Sequence, residues 1–180
     1  MKRRPLMLAV STFFLISTAL FAQLPPAASL LPDGFKLDGE TNLGGSILIR
    51  AIKQNENFPK PHMDQGIVLE ISWMNQPAAQ QILDLLASGP EEPGAQSPGS
   101  ATRDEPCGKQ LYKDGILICR KVIIPWIGAG KGPDLVTWRI NWTGQASKGM
   151  VGVNINNFFG DKGTAMSWID SIIPKITKGN

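Results

Sequence analysis

Apolar and polar residues alternate over several short segments of the chain, which is the pattern of a strand that is buried on one face. The clearest case is residues 66–74, where the odd positions from 67 to 73 are apolar and Glu70 and Ser72 lie between them. Because successive side chains of a strand point to opposite faces, this segment is predicted to be a half-buried strand. Residues 47–53 form another strand candidate shortly before it.

The second half of the chain is predicted to consist mostly of strands. Residues 110–124 indicate a β-hairpin with Asp114 and Gly115 at its turn, because Asp-Gly is favoured in short hairpin connections. Residues 135–143 and 149–159 alternate as well and are expected to pair antiparallel through a short connection. Their apolar faces contain Val136, Trp138, Ile140 and Trp142 in the first segment and Val151, Val153, Ile155 and Phe159 in the second.

One segment between the two sets of strands repeats its apolar residues with the spacing of a helix. Asn75 or Gln76 can cap this helix at its N-terminus, with Pro77 in the first turn, where its missing N–H costs nothing. Gly89 and Pro90 are expected to end it. The apolar stripe consists of Ala79, Ile82, Leu83 and Leu86.

A second helix is predicted near the C-terminus, over residues 164–173. Pro174 follows directly and is expected to end the helix or to force a kink, because proline removes a backbone donor and clashes with the preceding turn. The apolar stripe of this helix consists of Trp168, Ile169, Ile172 and Ile173.

The order of these elements predicts an α+β fold: a mostly antiparallel sheet of about six strands with two helices packed on one face. Residues 23–45 show no sustained period and are expected to be a lead-in segment with one short extended piece at 35–37. Residues 89–106 contain no large apolar residue, so we expect a mobile loop there. This loop could mark a domain boundary, but we expect residues 46–180 to be a single domain.

The first 22 residues have the pattern of a secretory signal peptide. Basic residues in the first five positions precede an apolar run over 6–22, and Pro25 and Pro26 follow soon after it. Cleavage is expected after Ala22, which would place the protein in the periplasm or outside the cell without further membrane contact. The alternative is an uncleaved anchor, since a run of 17 residues is at the lower limit for spanning a bilayer.

The charge of the chain changes meaning once this segment is set aside. Three of the 18 basic residues, Lys2, Arg3 and Arg4, lie in it, and the rest of the chain is formally neutral. Residues 23–106 hold 5 basic and 11 acidic residues, whereas residues 107–180 hold 10 and 4. The halves could be complementary within one fold or could present oppositely charged surfaces. The sequence gives no reason to expect binding to nucleic acid.

The chain contains two cysteines, Cys107 and Cys119. An even count in an exported protein favours a disulfide, but the predicted hairpin register does not place the two residues opposite each other. With a two-residue turn Cys119 would face Gln110, and with a three-residue loop it would face Lys109. A disulfide and two buried free thiols therefore both remain open.

Residues 125–133 are rich in glycine but do not match a nucleotide-binding motif. The Walker pattern requires glycine where Pro125 stands and Ser or Thr where Gly132 stands, and the dinucleotide pattern requires glycine at Pro133. We expect no cofactor. The loop either displays Trp126, Ile127 and Lys131 to a partner or is a wide connection whose Trp126 packs at the rim of the core. These three residues are the candidate partner-binding site.

Catalytic and metal-ligating constellations are absent from the sequence pattern. His62 is the only histidine, and we expect it to be an exposed loop residue, because no nucleophile motif accompanies it. One histidine and two cysteines are too few ligands for a typical zinc site, so no metal site is predicted. Glu70 is expected to form an ion pair on the sheet surface.

These observations predict an exported, non-catalytic binding module for a small ligand or another component of the cell envelope. The alternative is a small secreted hydrolase that uses two carboxylates, since such chemistry needs no histidine. Two convergent carboxylates in a deep pocket would favour the hydrolase, and an apolar surface near Trp126 would favour the binding module. The identity of the ligand or partner and the oligomeric state do not follow from the sequence.

Overall fold

The computed structural model describes residues 25–43, 46–60, 62–74, 79–89, 101–146 and 149–177. Within these ranges, no helix is both long enough and apolar enough to cross a membrane. The predicted signal peptide, the proposed helix cap at residues 75–78 and most of the predicted mobile loop lie outside the described residues. The elements in chain order are α1 (Ala27–Leu30), β1 (Lys36–Leu43), β2 (Ser46–Lys53), β3 (Ile67–Met74), α2 (Ala79–Ser88), β4 (Arg103–Tyr112), β5 (Gly115–Ile124), β6 (Leu135–Ala146), β7 (Gly149–Phe158) and α3 (Lys162–Thr177).

Seven antiparallel strands form one sheet in the order β1-β2-β3-β7-β6-β5-β4. The connection through α2 carries the chain from β3 to the far edge of the sheet, and the meander from β4 to β7 then brings it back. The pair β3–β7 joins the two halves of the sequence, with Leu69 opposite Ile155 and Ile71 opposite Val153. The α+β class and the mostly antiparallel sheet are confirmed, with seven strands rather than about six.

The main core lies between one face of the sheet and α3. The helix buries Ala165, Ile169 and Ile172 against this face, and Trp142 of β6 is completely buried beneath it. Burying an aliphatic side chain of this size stabilises the fold by about 1.5–3 kcal/mol. The sheet side chains that form this core include Ile49, Ala51, Leu69, Ile71, Leu117, Ile140, Val151, Val153 and Ile155.

The prediction that both helices pack on one face is wrong. On β5, Leu117 belongs to the core under α3, so the neighbouring Ile116 points to the opposite face. Leu83 of α2 lies in a recess with Ile116 and Gln145, which places α2 on that opposite face. Helical periodicity identifies the stripe that is buried but not the surface that buries it.

The predicted lead-in segment contains regular structure that its sequence pattern did not reveal. Leu30 of α1 and Phe35 are buried, and the Phe35 ring packs edge-on against Trp168 of α3, with ring centroids 5.0 Å apart. Strand β1 then extends the sheet far beyond the short piece predicted at 35–37. Because β1 is an edge strand whose described side chains are exposed, it shows no apolar alternation.

Pro174 does not end the last helix, as the sequence predicted, because α3 continues to Thr177. Ile173 and Ile176 on either side of the proline are both buried, which favours helical backbone through this position. The Thr177 hydroxyl also donates a hydrogen bond of 2.8 Å to the Ile173 carbonyl. Packing of the last turn therefore outweighs the backbone donor that the proline lacks.

The last part of the predicted mobile loop is wrong as well, because residues 103–106 belong to strand β4. Asp104 on this edge strand accepts a hydrogen bond of 2.6 Å from Arg120 and one of 3.2 Å from Arg139. Arg103 pairs with Asp134 at 3.6 Å. The acidic first half and the basic second half are thus in contact through ion pairs, which supply the signal that apolar periodicity lacks here.

The hairpin β4–β5 turns one residue earlier than predicted. Lys113 and Asp114 occupy the turn with φ of 47° and 58°, and Gly115 already pairs with Tyr112. Both central φ angles are positive, as a type I′ turn requires. The shifted register brings residue 108 opposite Cys119.

A β-bulge then resolves the question of the cysteines. Pro106 pairs with Arg120 and Gly108 with Cys119, so Cys107 is the extra residue between them. The Cα atoms of Cys107 and Cys119 are 5.1 Å apart, and their sulfur atoms form a disulfide. Gly108 takes a φ of 139°, which glycine adopts without the steric cost of a side chain.

We predict that denatured, unreduced protein contains no titratable thiol and that replacing both cysteines by alanine lowers the free energy of unfolding by about 3 kcal/mol. This value is typical of a disulfide that closes a loop of this length. Urea denaturation of the wild-type protein and the double variant, each with and without reductant, measures the loss. Two free thiols in the wild-type protein, or equal sensitivity of both proteins to reductant, would contradict the prediction.

The hairpin turn is also attached to α3 through a polar cluster. The Tyr112 hydroxyl donates a hydrogen bond of 2.6 Å to Asp170, and the Lys113 ammonium lies 2.6 Å from the same carboxylate. The hydrogen bond to Asp170, together with burial and the negative charge, raises the pKa of Tyr112 to about 12. Burial would raise the pKa of Asp170, but hydrogen bonds from Lys113 and Tyr112 and the charge of Lys113 lower it.

We predict that this cluster can be observed directly, because Tyr112 is the only tyrosine in the chain. Its tyrosinate absorbance should titrate near pH 12 in the wild-type protein and near the ordinary value of about 10 in Asp170→Ala. Since the folded state holds the proton more tightly, the associated stabilisation is present below the ordinary pKa and is lost as the pH rises through the raised one. Asp134→Ala is the control and should leave the titration unchanged. Circular dichroism checks that the protein remains folded.

Candidate functional site

Two loops meet over the face of the sheet opposite α3, at the end away from α2. One is the β2–β3 connection, described for residues 54–60 and 62–66, and the other is the β5–β6 connection, residues 125–134. Together with β5, β6 and β7 they enclose a cavity of about 260 Å³. Its apolar lining consists of Phe58, Met63, Ile124, Ile127 and Leu135.

The strand residues reach this cavity because of their register. Ile124 pairs with Leu135, and Val122 pairs with Thr137, so Ile124, Leu135 and Thr137 share the face that also carries Ile116. The strands supply the floor of the cavity, and the two loops supply its walls. The polar groups around it are His62, Asp64, Gln65, Thr137 and Asn157.

His62 is the principal difference from the sequence-based expectation for this site. The prediction of an exposed histidine is wrong, because only 9% of the residue is exposed. Its Nε2 is buried and has no hydrogen-bond partner within the described part of the chain. A buried polar atom left without a partner costs about 1–3 kcal/mol, so this nitrogen is available to a hydrogen-bonding group of a ligand.

Trp126 supports His62 from behind. The two rings are in edge-to-face contact, with centroids 5.8 Å apart and an interplanar angle of 76°. On its other side the indole lies so close to Gly132 that a Cβ there would overlap it. The loop can therefore close over the indole only with glycine at this position. The backbone N–H of Trp126 donates to Asp134 at 3.3 Å.

The three loop residues selected from the sequence occupy different places. Ile127 lines the cavity and is 65% exposed, so it lies at the rim. Trp126 is partly buried and contacts His62 rather than lining the cavity itself. Lys131 is exposed and is not one of the described lining residues. The structure thus brings Ile127 and His62 to one cavity, with Trp126 behind it.

A hydrogen-bond network centred on Asn55 fixes the β2–β3 loop. The Asn55 side-chain amide donates to Asp64 at 2.7 Å and to the Asn157 carbonyl at 3.1 Å, and its oxygen accepts the Phe159 N–H at 2.7 Å. Asp64 also accepts the backbone N–H groups of Asn55 at 2.9 Å and of Gly66 at 2.8 Å. The wall that carries His62 is therefore held by both its ends and by the end of β7.

A second irregularity at the end of β7 makes this network possible. Asn157 has a φ of 58°, which interrupts the alternation of the strand. Phe158 is consequently buried in the main core, and Phe159 packs against Phe58 of the β2–β3 loop with ring centroids 5.6 Å apart. The sequence analysis had placed Phe159 on the core face with Ile155, and the structure corrects this by one position.

The carboxylates do not converge on the cavity. Asp64 is the one carboxylate among the described lining residues, and three donors inside the fold already bind it. Glu70 lies in the middle of the same sheet face, opposite Arg50 and Asn154, and accepts a hydrogen bond of 3.3 Å from Asn154. This arrangement suits noncovalent binding in the cavity better than acid–base chemistry.

Sequence reasoning missed Asn55, Asp64 and Asn157, because each acts through a contact far along the chain. A partial signal exists in Asp64 and Gly66, since an aspartate often accepts the backbone N–H two residues later and glycine takes the positive φ that follows. Nothing comparable marks Asn55, whose partners lie about one hundred residues away.

Comparison of the chain with protein-family models, with curated proteins and with solved structures finds no match in any of the three.

We predict that Asn55→Ala lowers the free energy of unfolding by about 2–4 kcal/mol, because it leaves the Phe159 N–H and part of Asp64 without partners. The neighbouring Gln54→Ala is the matched control, and this exposed residue should change stability by less than about 0.5 kcal/mol. Urea denaturation measures both. Equal stabilities of the two variants would show that the network does not hold the loop.

Proposed function

We propose that this protein is an exported binding module whose loop-built cavity takes a small, predominantly apolar ligand. The observation that carries the proposal is a cavity with an apolar lining into which the fold brings one buried, unpartnered polar group, Nε2 of His62. Small-molecule sites in proteins commonly combine apolar walls with a few polar groups that orient the ligand.

The volume of the cavity limits the size of the ligand. An apolar cavity of about 150 Å³ accommodates benzene, whereas pockets for drug-sized molecules begin at about 300 Å³. The cavity of about 260 Å³ lies between these values. We therefore expect a compact ligand with one or two rings, or a short branched chain of similar volume.

The walls of the cavity are held in place without a ligand, which favours binding. Asn55 and Asp64 fix one loop, and the packing of Trp126 against Gly132 and His62 fixes the other. A site that is already formed avoids the cost of ordering loops when the ligand enters.

Export is proposed from the first 22 residues, which lie outside the described part of the chain, and the disulfide is weakly compatible with it. The alternative of a carboxylate-based hydrolase lacks support at this cavity. Such chemistry needs a second carboxylate near the first, and Asp64 is the single carboxylate among the described lining residues.

We predict that naphthalene, an uncharged bicyclic probe, binds to the cavity. In a titration followed by NMR, the amide signals of residues 62–65 and 127 should shift saturably. The larger side chain in Ile124→Trp fills the cavity and should abolish these shifts. The control Leu48→Trp lies on the same sheet face, exposed and outside the cavity, and should retain them.

Circular dichroism establishes that both variants are folded. The proposal is wrong if the wild-type amides around the cavity stay unchanged up to the solubility limit of naphthalene. It is also wrong if Ile124→Trp, when folded, shifts in the same way as the wild-type protein.

A further inference from the structure

We infer that the ligand of this cavity carries a neutral hydroxyl group, as a phenol or an alcohol does, and that this hydroxyl pairs with Nε2 of His62. This inference rests on the proposed function and names the chemical class of its ligand. It starts from an imidazole that is more than nine-tenths buried in the wall of the cavity and whose Nε2 has no partner within the described residues.

The chemistry of imidazole favours a hydroxyl partner. In a neutral histidine, Nε2 is a donor in one tautomer and an acceptor in the other. A hydroxyl group donates one hydrogen bond and accepts others, so it matches Nε2 in either tautomer. Thr137, which is only 4% exposed, lines the same cavity and places a second small polar group in its floor.

The charges around the cavity disfavour an anionic ligand. None of the described lining residues is a lysine or an arginine, and the one charged group among them is the Asp64 carboxylate. A second carboxylate would be removed from water into an apolar space beside a like charge. An ammonium group is disfavoured for a related reason, since three donors of the fold already bind Asp64.

The rim of the cavity shows how such a ligand would be oriented. Met63 and Ile127 line the cavity while remaining 85% and 65% exposed, so both present apolar side chains at its mouth. The buried polar atom lies inside and the apolar contacts lie at the rim. A ligand therefore enters with its hydroxyl group first and leaves its apolar body against these two side chains.

Three probes with the same ring system and different polar groups test this inference: 2-naphthol, naphthalene and 2-naphthoate. Pairing a buried unpartnered atom is worth roughly a factor of ten in affinity, so 2-naphthol should bind about tenfold more tightly than naphthalene. The carboxylate should bind more weakly than naphthalene. In His62→Phe, which keeps a ring but removes both nitrogens, the advantage of 2-naphthol should fall below about threefold. Calorimetry or NMR titration measures these affinities.

A second measurement avoids any dependence on the folding of the variant. Because His62 is the only histidine, the imidazole nitrogen signals of the wild-type protein belong to it alone. The Nε2 resonance should shift when 2-naphthol is added and should change much less with naphthalene.

The outcomes separate this inference from the proposed function. If naphthalene and 2-naphthol bind equally well and the Nε2 signal stays unchanged, the cavity binds apolar molecules but the hydroxyl assignment is wrong. If 2-naphthoate binds most tightly, the ligand is an anion and the assignment is wrong as well. If none of the three probes reaches the cavity, both the assignment and the proposed function are wrong.

Discussion

The side-chain amide of Asn55 is the interaction on which the second face of this protein depends. It joins Asp64 of its own loop to the Asn157 carbonyl and the Phe159 N–H at the end of β7, about one hundred residues away. One buried group thereby sets both the wall that carries His62 and the point where the chain leaves the sheet toward α3. Since a buried amide has few ways to satisfy all its hydrogen bonds, the network favours one loop conformation over many.

Much of the sheet can be predicted from the sequence, because burial on one face imposes a visible period. Residues 66–74 and 135–143 were recognised in this way, and both pack against α3 as alternation requires. Strand β1 and the beginning of β4 were missed for the opposite reason. Edge strands are held by backbone pairing and by ion pairs such as Asp104 with Arg120, and neither leaves a hydrophobic pattern.

The candidate site was less predictable than the fold, because it depends on irregular backbone and on contacts between distant loops. The sequence drew attention to Trp126 and Ile127 but separated them from His62, which was taken for an exposed loop residue. Burial of His62 follows from contact with the Trp126 ring, and a single sequence contains no sign of that contact. The bulges at Cys107 and Asn157 each shift the register by one residue, which decides the disulfide and the position of Phe159.

The location of the cavity follows from how the two faces of the sheet are covered. The long helix α3 covers one face, whereas the other receives only the short α2 at one end and two loops at the opposite end. Between them runs a polar row in which Asn141, Asn154 and Glu70 are neighbours across three strands. Loops present fewer apolar side chains than a helix and fill the space above a sheet less completely. A cavity is therefore expected where loops replace a helix over apolar strand residues, and Ile124 and Leu135 lie beneath it.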